Sequence, residues 1–361
     1  MTDHEPTLKR YAAPTLISFA TQLLQRAGLP LERAAVVGEM LVEADLMGHS
    51  THGLQLLAPY LQQIEGGSMT RQGDPETVAD HGAALTWDGR YLPGPWLVVQ
   101  AMNAAFERIH ANPVVTIAIR RSHHIGCLAV YPRLATERGL FMLLVSSDPN
   151  EKSVAPYGGI RPLYTPNPLA AGIPTQGDPI LIDTSMSATA NGVVARHRLE
   201  GKRLPHPWLL DHAGNPSDDP DAMFSDPPGS VLPLGGTDLG YKGFALGLLI
   251  EAMTSALAGF GRSDRPQQWG ASVFLQIIDP EAFGGRAHFL QETQWLAEAA
   301  RSNPTRPGDP PVRLPGSRGL RLRAEQLRRG VALYPAILPA LESWSAKLGV
   351  ALPASLSDSG S

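Results

Sequence analysis

The chain has 361 residues, 43% of them hydrophobic and 18% charged, with a formal net charge of −4 at pH 7. That length can bury a large core in two lobes, while scattered Lys and Arg under a net negative balance exclude the one-sided basic footprint of a nucleic-acid binder. The absence of any run of about 18 apolar residues excludes a membrane-spanning helix, and the single cysteine, Cys127, excludes a disulfide framework or a cysteine-cluster metal site.

The start, Met-Thr-Asp-His-Glu-Pro, lacks the basic-then-apolar order of a secretion signal, so a cytoplasmic protein without a metal is expected, with a small-molecule partner and no membrane or nucleic-acid partner. Apolar spacing predicts helices over 14–27 and 31–46, then the polar segment Gly48-His49-Ser50-Thr51-His52-Gly53 and a third helical pattern over 54–64. Alternation continues with a helix over 96–109, a strand over 114–119, a helix over 128–138 and a strand over 140–145, which reads as α/β. Short apolar runs at 180–182 and 273–278 are of strand length, and 243–257 reads as a buried apolar helix. The Pro-, Gly- and Asp-rich stretch 203–240 is loop chemistry that often borders a site. A Pro-rich connector over 303–315 precedes two C-terminal helical patterns and a small, polar tail, expected to be disordered.

The common nucleotide and hydrolase signatures are absent: no G-x-G-x-x-G between strand and helix, no phosphate loop, no G-x-S-x-G elbow, no H-E-x-x-H. What remains is a set of polar constellations. His49 and His52 stand in a glycine frame, where an imidazole can exchange a proton with a carbonyl or imine as hydride moves; a helix-capping role is the plainer alternative. Ser122-His123-His124-Ile125-Gly126, with Cys127 and Leu128 after it, follows a strand, a place where free backbone amides can hold a phosphate or simply turn the chain. Tyr157-Gly158-Gly159 and Asn167-Pro168 are turn chemistry by themselves. Asp183 with Thr184 closes a strand, suited either to a ribose hydroxyl or to a cap. Lys242, at the entrance of an apolar helix, opposes the helix dipole and so hints at an anionic ligand.

In order along the chain, Ala44 to Gly53, Ser122 to Gly126, Ala155 to Gly159, Asn167-Pro168, Pro233 to Gly236 with Tyr241 to Gly243, and Arg313 to Arg318 resemble the malate/L-lactate dehydrogenase family of the sulfolactate dehydrogenase type, whose relatives include ureidoglycolate dehydrogenase and piperideine-carboxylate reductase. The resemblance implies an α/β fold with a mixed-sheet cofactor domain and a helical domain built from both chain ends, not a Rossmann fold. It places a helical part over 1–75, the cofactor domain over 76–300, returning helices over 301–350 and a disordered tail over 351–361. It implies a homodimer and an oxidoreductase that uses NAD or NADP to interconvert a small 2-oxo acid or cyclic imine with its 2-hydroxy acid or amine. By the same resemblance His52 and Thr51 form the proton-transfer pair, with His124 as a rival base. The nucleotide falls to His124, Ile125, Gly126, Cys127, Leu128, Asp183, Thr184, Lys242, Arg313, Pro315, Gly316 and Arg318, and the substrate to His49, Leu56 and Asn167.

Three positions depart from the pattern. Leu56 stands where the family carries an arginine that grips the substrate carboxylate. Pro166 replaces a threonine before Asn167, and Val193 replaces the aspartate of the piperideine-carboxylate reductases. They imply altered substrate anchoring, either a substrate without that carboxylate contact or another cation such as Arg161 or Lys152. A nucleotide-binding relative without turnover, acting as a regulatory protein, is the alternative.

Overall fold

The computed structural model describes residues 9–356. A short strand β1 (Arg10–Tyr11) leads into α1 (Ala13–Arg26) and α2 (Leu31–Leu46), which bury Leu16, Phe19, Leu23 and Leu24 against Ala34, Val37 and Leu41. The opposite face of α2, through Met40 and Ala44, joins a second core beneath the sheet, so this helix is apolar on both sides. After α3 (Leu57–Glu65), the strands β2 (Glu76–Asp80) and β3 (Ala84–Asp88), helix α4 (Gly94–Arg108) and strand β4 (Val114–Ser122) form the first half of the sheet. A 3-10 turn (Leu128–Val130), the short helix α5 (Pro132–Thr136), β5 (Phe141–Ser147), β6 (Leu169–Ile173) and β7 (Ile180–Thr184) continue it.

Next come α6 (Asn191–Leu199), a small sheet of β8 (Leu209–Leu210), β9 (Pro216–Ser217) and β10 (Ser230–Val231), and α7 (Gly236–Glu251). The chain then returns through β11 (Ala271–Ile278), α8 (Arg286–Arg301), α9 (Ser317–Arg329), β12 (Val331–Ala332) and α10 (Ile337–Leu348). The main sheet has the order β2-β3-β4-β11-β5-β6-β7. Of its neighbouring pairs only β3 with β4 is parallel, so this is a mixed sheet and not the doubly wound dinucleotide fold. Central β4, β5 and β11 are almost continuously apolar because both their faces are covered.

Both chain ends build the helical part. β1 pairs antiparallel with β12 through Arg10 with Ala332 and Tyr11 with Val331, and Val331, Leu333, Ile337 and Leu341 share one core with α1, α2 and α3. The Leu356 amide donates to the Arg10 carbonyl at 2.8 Å; the remainder of the expected disordered tail, 357–361, lies outside the described residues. Buried Glu43 on α2 accepts from Arg133 at 3.2 Å and Arg323 at 2.5 Å, fastening α5 and α9 to the N-terminal helices.

The helix expected over 128–138 is a 3-10 turn and five helical residues, because Pro132 lacks the amide that would continue the turn. The apolar helix expected from 243 starts at Gly236, where Gly235 at φ 99° turns the chain. Lys242 therefore sits beyond the first turn, which carries Asp238 instead, and the dipole mismatch read from the sequence disappears. Strands β2, β3 and β6 and helices α6 and α8 carry no clear apolar period. β2 is largely exposed, β6 is built from small residues, and α8 buries only Thr293 and Ala297.

Candidate active site

The first histidine segment hangs from the end of α2. Gly48, at φ 86°, turns the chain, the His49 amide returns to the Ala44 carbonyl at 2.8 Å, and Ser50–His52 forms one 3-10 turn. Beneath it the Asp45 carboxylate accepts from the Leu54 amide at 2.7 Å. A Cβ at Gly53 would stand 2.5 Å from that carboxylate, so only glycine fits between His52 and Asp45. Burial pushes the Asp45 carboxyl up to about 7, against the opposing Leu54 hydrogen bond. Thr51 Oγ1 lies 2.9 Å from His52 Nδ1. His52 Nε2 has no hydrogen-bond partner among the described residues.

The second segment leaves the end of β4 through a strained corner. Arg90, Tyr91 and Arg121 all adopt positive φ, between 49° and 57°, a conformation that costs roughly 1–3 kcal/mol at a non-glycine residue. They surround Asp88, fully buried, which accepts from Arg120 Nε at 2.9 Å, Arg121 Nε at 2.9 Å and the Arg90 amide at 3.0 Å. Burial opposes ionisation of Asp88, but these bonds outweigh it and lower its pKa. The corner delivers His123 and His124 against α4, where Gly94 meets both of their carbonyls too closely for any side chain.

His124 comes within 6.1 Å of His52, ring centroid to centroid, nearly parallel at 27°. Its Nδ1 accepts from the Gly126 amide at 3.2 Å and lies 2.9 Å from the Tyr60 hydroxyl, which assigns the ring proton to Nε2. Trp269 closes the other side, 4.8 Å from His124 and 5.1 Å from His123. Burial, with His49 adding to it, lowers His52 to about 4; burial lowers His123 to about 3; and burial, with His52 and His123 adding to it, holds His124 well below the usual range. All three imidazoles are therefore neutral at pH 7. His123, with neither ring nitrogen hydrogen-bonded, is wholly buried and serves as packing beside Tyr60.

A second cluster lies across the end of β7. His49, Cys127 and Asp183 bring ligand-type atoms within 4.8 Å of one another, and Cys127 Sγ is 4.0 Å from Asp183 Oδ2. The groups packed against the Asp183 carboxylate keep water from it and raise its pKa, although the residue as a whole is solvent-exposed and His49 and the Ala129 amide favour its charged form. Cys127 is raised well above its usual range by burial and then by Asp183, with the Ala129 and Val130 amides opposing. Thr184 is exposed beside this cluster, and Ile125 and Leu128 are buried under it. The Leu181 amide donates to the Pro315 carbonyl at 3.2 Å, and Gly316, at φ 83°, packs directly on Leu181. This seats the 313–318 loop on β7. Arg306, Asp309, Arg313, Pro315, Gly316 and Arg318 line a cavity of about 610 Å³ there.

Not every expected residue joins these clusters. Lys242 is exposed on α7 with its Nζ 5.9 Å from the Tyr241 ring centroid. Asn167 is fully buried at φ 47°, with its amide nitrogen donating to the Gly247 carbonyl at 3.1 Å and Glu251 at 3.0 Å and its oxygen accepting from Thr165 at 2.8 Å. Leu56 packs half-buried on the N-terminal core. Close to it, α6 begins against Thr51, and Arg196 donates to Ser50 Oγ at 3.2 Å and Gln55 Oε1 at 2.9 Å, its guanidinium 4.3 Å from the Tyr334 ring centroid. Tyr60, Trp269 and Arg196 went unmarked by sequence reasoning. Tyr60 reads as one more apolar position of α3, and the other two stand alone in loop-like or unpatterned stretches.

The model of the malate/L-lactate dehydrogenase family matches residues 11–342. An L-lactate dehydrogenase of Cupriavidus necator is 31% identical over 92% of this chain and 96% of its own length. The (2R)-3-sulfolactate dehydrogenase (NADP(+)) of Chromohalobacter salexigens is 32% identical over 86% of this chain and 90% of its own. Among solved structures, delta1-piperideine-2-carboxylate reductase from Pseudomonas syringae superposes with a TM-score of 0.81 at 28% identity, over 93% of this chain and 99% of that one. Mixed sheet, two-ended helical part and matched length agree, and the chain belongs to the malate/L-lactate dehydrogenase family of oxidoreductases, with the sulfolactate dehydrogenase-like fold.

Proposed function

We propose that this chain interconverts a small 2-hydroxy acid, or the related cyclic amine, with the corresponding 2-oxo acid or imine, using NAD or NADP. The observation that carries the reading is the neutral His52, held at Nδ1 by Thr51 with Nε2 free, beside a His124 whose own Nδ1 is already engaged. In oxidation His52 Nε2 accepts the hydroxyl proton; in reduction the same atom returns it.

The open cavity at the 313–318 loop is our candidate for the dinucleotide position. Arg313 and Arg318 supply guanidinium groups suited to phosphate, Arg306 being paired with Asp309 at 2.7 Å, and the Asp183 carboxylate at the end of β7 suits ribose hydroxyls. When bound, nicotinamide supplies or takes up the hydride. The substrate carboxylate, deprived of an arginine at Leu56, is assigned to Arg196, whose acceptors Ser50 and Gln55 are both neutral and which makes no ion pair among the described residues. Lys152 and Arg161 are exposed and make no contact with residues 49–56 that would favour either of them.

We place the enzyme in the cytoplasm as a homodimer. No helix among the described residues is long and apolar enough to cross a membrane. α7 leaves Leu239, Tyr241, Leu246, Leu248 and Leu249 exposed, an apolar face suited to burial against a second copy. A monomeric sedimentation profile would refute the dimer. The function is tested by fluorescence titration with NADH and NADPH, followed by turnover on a panel of 2-oxo acids and cyclic imines. Binding with turnover is expected, and failure to bind either nucleotide overturns the reading.

A further inference from the structure

Cys127 is the only cysteine of the chain, and its surroundings give it unusual company. His49 arrives from the end of α2 and Asp183 from the end of β7, so three distant segments deliver one nitrogen, one sulfur and one oxygen within 4.8 Å of one another. A tetrahedral cation with bonds of about 2.0–2.3 Å holds such donors roughly 3.3–3.8 Å apart. The 4.0 Å between Cys127 Sγ and Asp183 Oδ2 already approaches that spacing, and the full set, spread over up to 4.8 Å, must draw together around an ion.

We infer that His49, Cys127 and Asp183 form a binding site for a zinc-class divalent cation. The donor set suits a borderline metal, and three protein ligands leave a fourth position open to water. Asp183 is exposed, which gives a cation a way in. His49 is held by its backbone bonds to Ala44 and His52, so the ligand from α2 needs no rebuilding. Binding exchanges the thiol proton of Cys127 for a metal–sulfur bond and releases that proton to solvent.

The site shares Asp183 with the proposed nucleotide position but does not depend on a nucleotide binding there. Where that cavity also holds, a cation on Asp183 blocks the ribose position, and zinc inhibits competitively with the nucleotide. The test is titration of the whole chain with cobalt(II) at mildly alkaline pH. A near-ultraviolet thiolate-to-cobalt charge-transfer band is expected at one equivalent, with bleaching by zinc. Because one cysteine exists, the band has one source; it must vanish in Cys127→Ser. In His49→Ala the affinity should fall by more than the roughly 10–100-fold that an outer-shell change costs. Absence of the band in the wild type, or an unchanged affinity in His49→Ala, overturns the site. Failure of the metal-free protein to bind either nucleotide refutes the proposed cofactor and leaves the metal site standing.

Discussion

Replacing His52 by alanine removes one proton-transfer atom and little else. The side chain contacts Thr51 Oγ1 and stacks on His124, whereas the proposed nucleotide groups, from Asp183 to Arg318, belong to β7 and the loop seated on it. Nucleotide affinity should therefore stay within about twofold, while turnover falls by roughly two to four powers of ten, the usual size of general acid–base catalysis. That is about 2.7–5.5 kcal/mol of transition-state stabilisation at 1.36 kcal/mol per decade. The pH profile gives a second check. With His52 lowered to about 4, its base form prevails throughout the neutral range. Oxidative kcat/KM, which reports the free enzyme, should be level above about 4 and fall below it. Reductive kcat/KM, which needs the imidazolium, should drop about tenfold per pH unit above it. Steady-state rates in both directions across pH, for wild type and His52→Ala, decide the matter. Wild-type turnover in the variant, or an unaltered profile at reduced rate, would refute His52 as the proton carrier.

Four further substitutions probe the surroundings. Leu56→Arg should raise kcat/KM for ordinary 2-oxo acids, and no gain in a folded variant would count against the lost anchor as the cause of altered specificity. Arg196→Gln should raise KM for carboxylate substrates by roughly 10–100-fold, the worth of a charged hydrogen bond, without changing nucleotide affinity; equal loss on substrates lacking the carboxylate would make Arg196 only a clamp on residues 50–55. Asp45→Asn tests the buried carboxyl. Its folded pKa of about 7 lies above the unfolded 3.8, so protonation favours the folded chain, the stabilisation is complete below 3.8 and it fades as pH rises through about 7. Between those limits the wild type should lose up to about 4 kcal/mol more than the asparagine variant in denaturant unfolding at a series of pH values, and parallel curves would refute the assignment. Gly94→Ala should displace the His123 and His124 carbonyls and lower both unfolding temperature and turnover; retention of both would mean that α4 yields freely.

What could be read from the sequence follows from range. Helices α1 and α2 and strands β4, β5 and β11 announce themselves because burial imposes a period or a continuous apolar run on adjacent residues. The segment proposed to transfer the proton is legible for a similar reason, since Gly48, Thr51, His52 and Gly53 lie within one turn of chain. Tyr60 and Trp269 are not legible, because their role exists only once α3 and the stretch before β11 meet around His124. Cys127 shows the same limit. A single cysteine marks no cluster in the sequence, yet the fold carries His49 and Asp183 to it from segments that the sequence separates by 134 residues. Lys242 errs in the opposite direction, because a helix start misplaced from Gly236 to Gly243 gave it an electrostatic conflict that the fold does not contain.

The costs that the fold bears are gathered in one place. His123 lies buried with both ring nitrogens unpartnered, Asp45 lies buried near its titration point, and three non-glycine residues around Asp88 hold left-handed backbone. An unsatisfied buried polar group alone costs about 1–3 kcal/mol, so none of these would persist on packing grounds while apolar residues of similar shape were available. Asp45 holds the turn that carries His52, His123 directly precedes His124, and the Asp88 corner ends β4 just ahead of both. His52 and His124, both half-buried, are kept neutral there by desolvation of their rings, and a neutral imidazole with a free Nε2 is the form that accepts a proton from a hydroxyl. A wetter site would stabilise the imidazolium and weaken the proposed base, so the buried Asp45 and His123 and the proposed proton-accepting chemistry share one physical cause, the scarcity of water around these side chains.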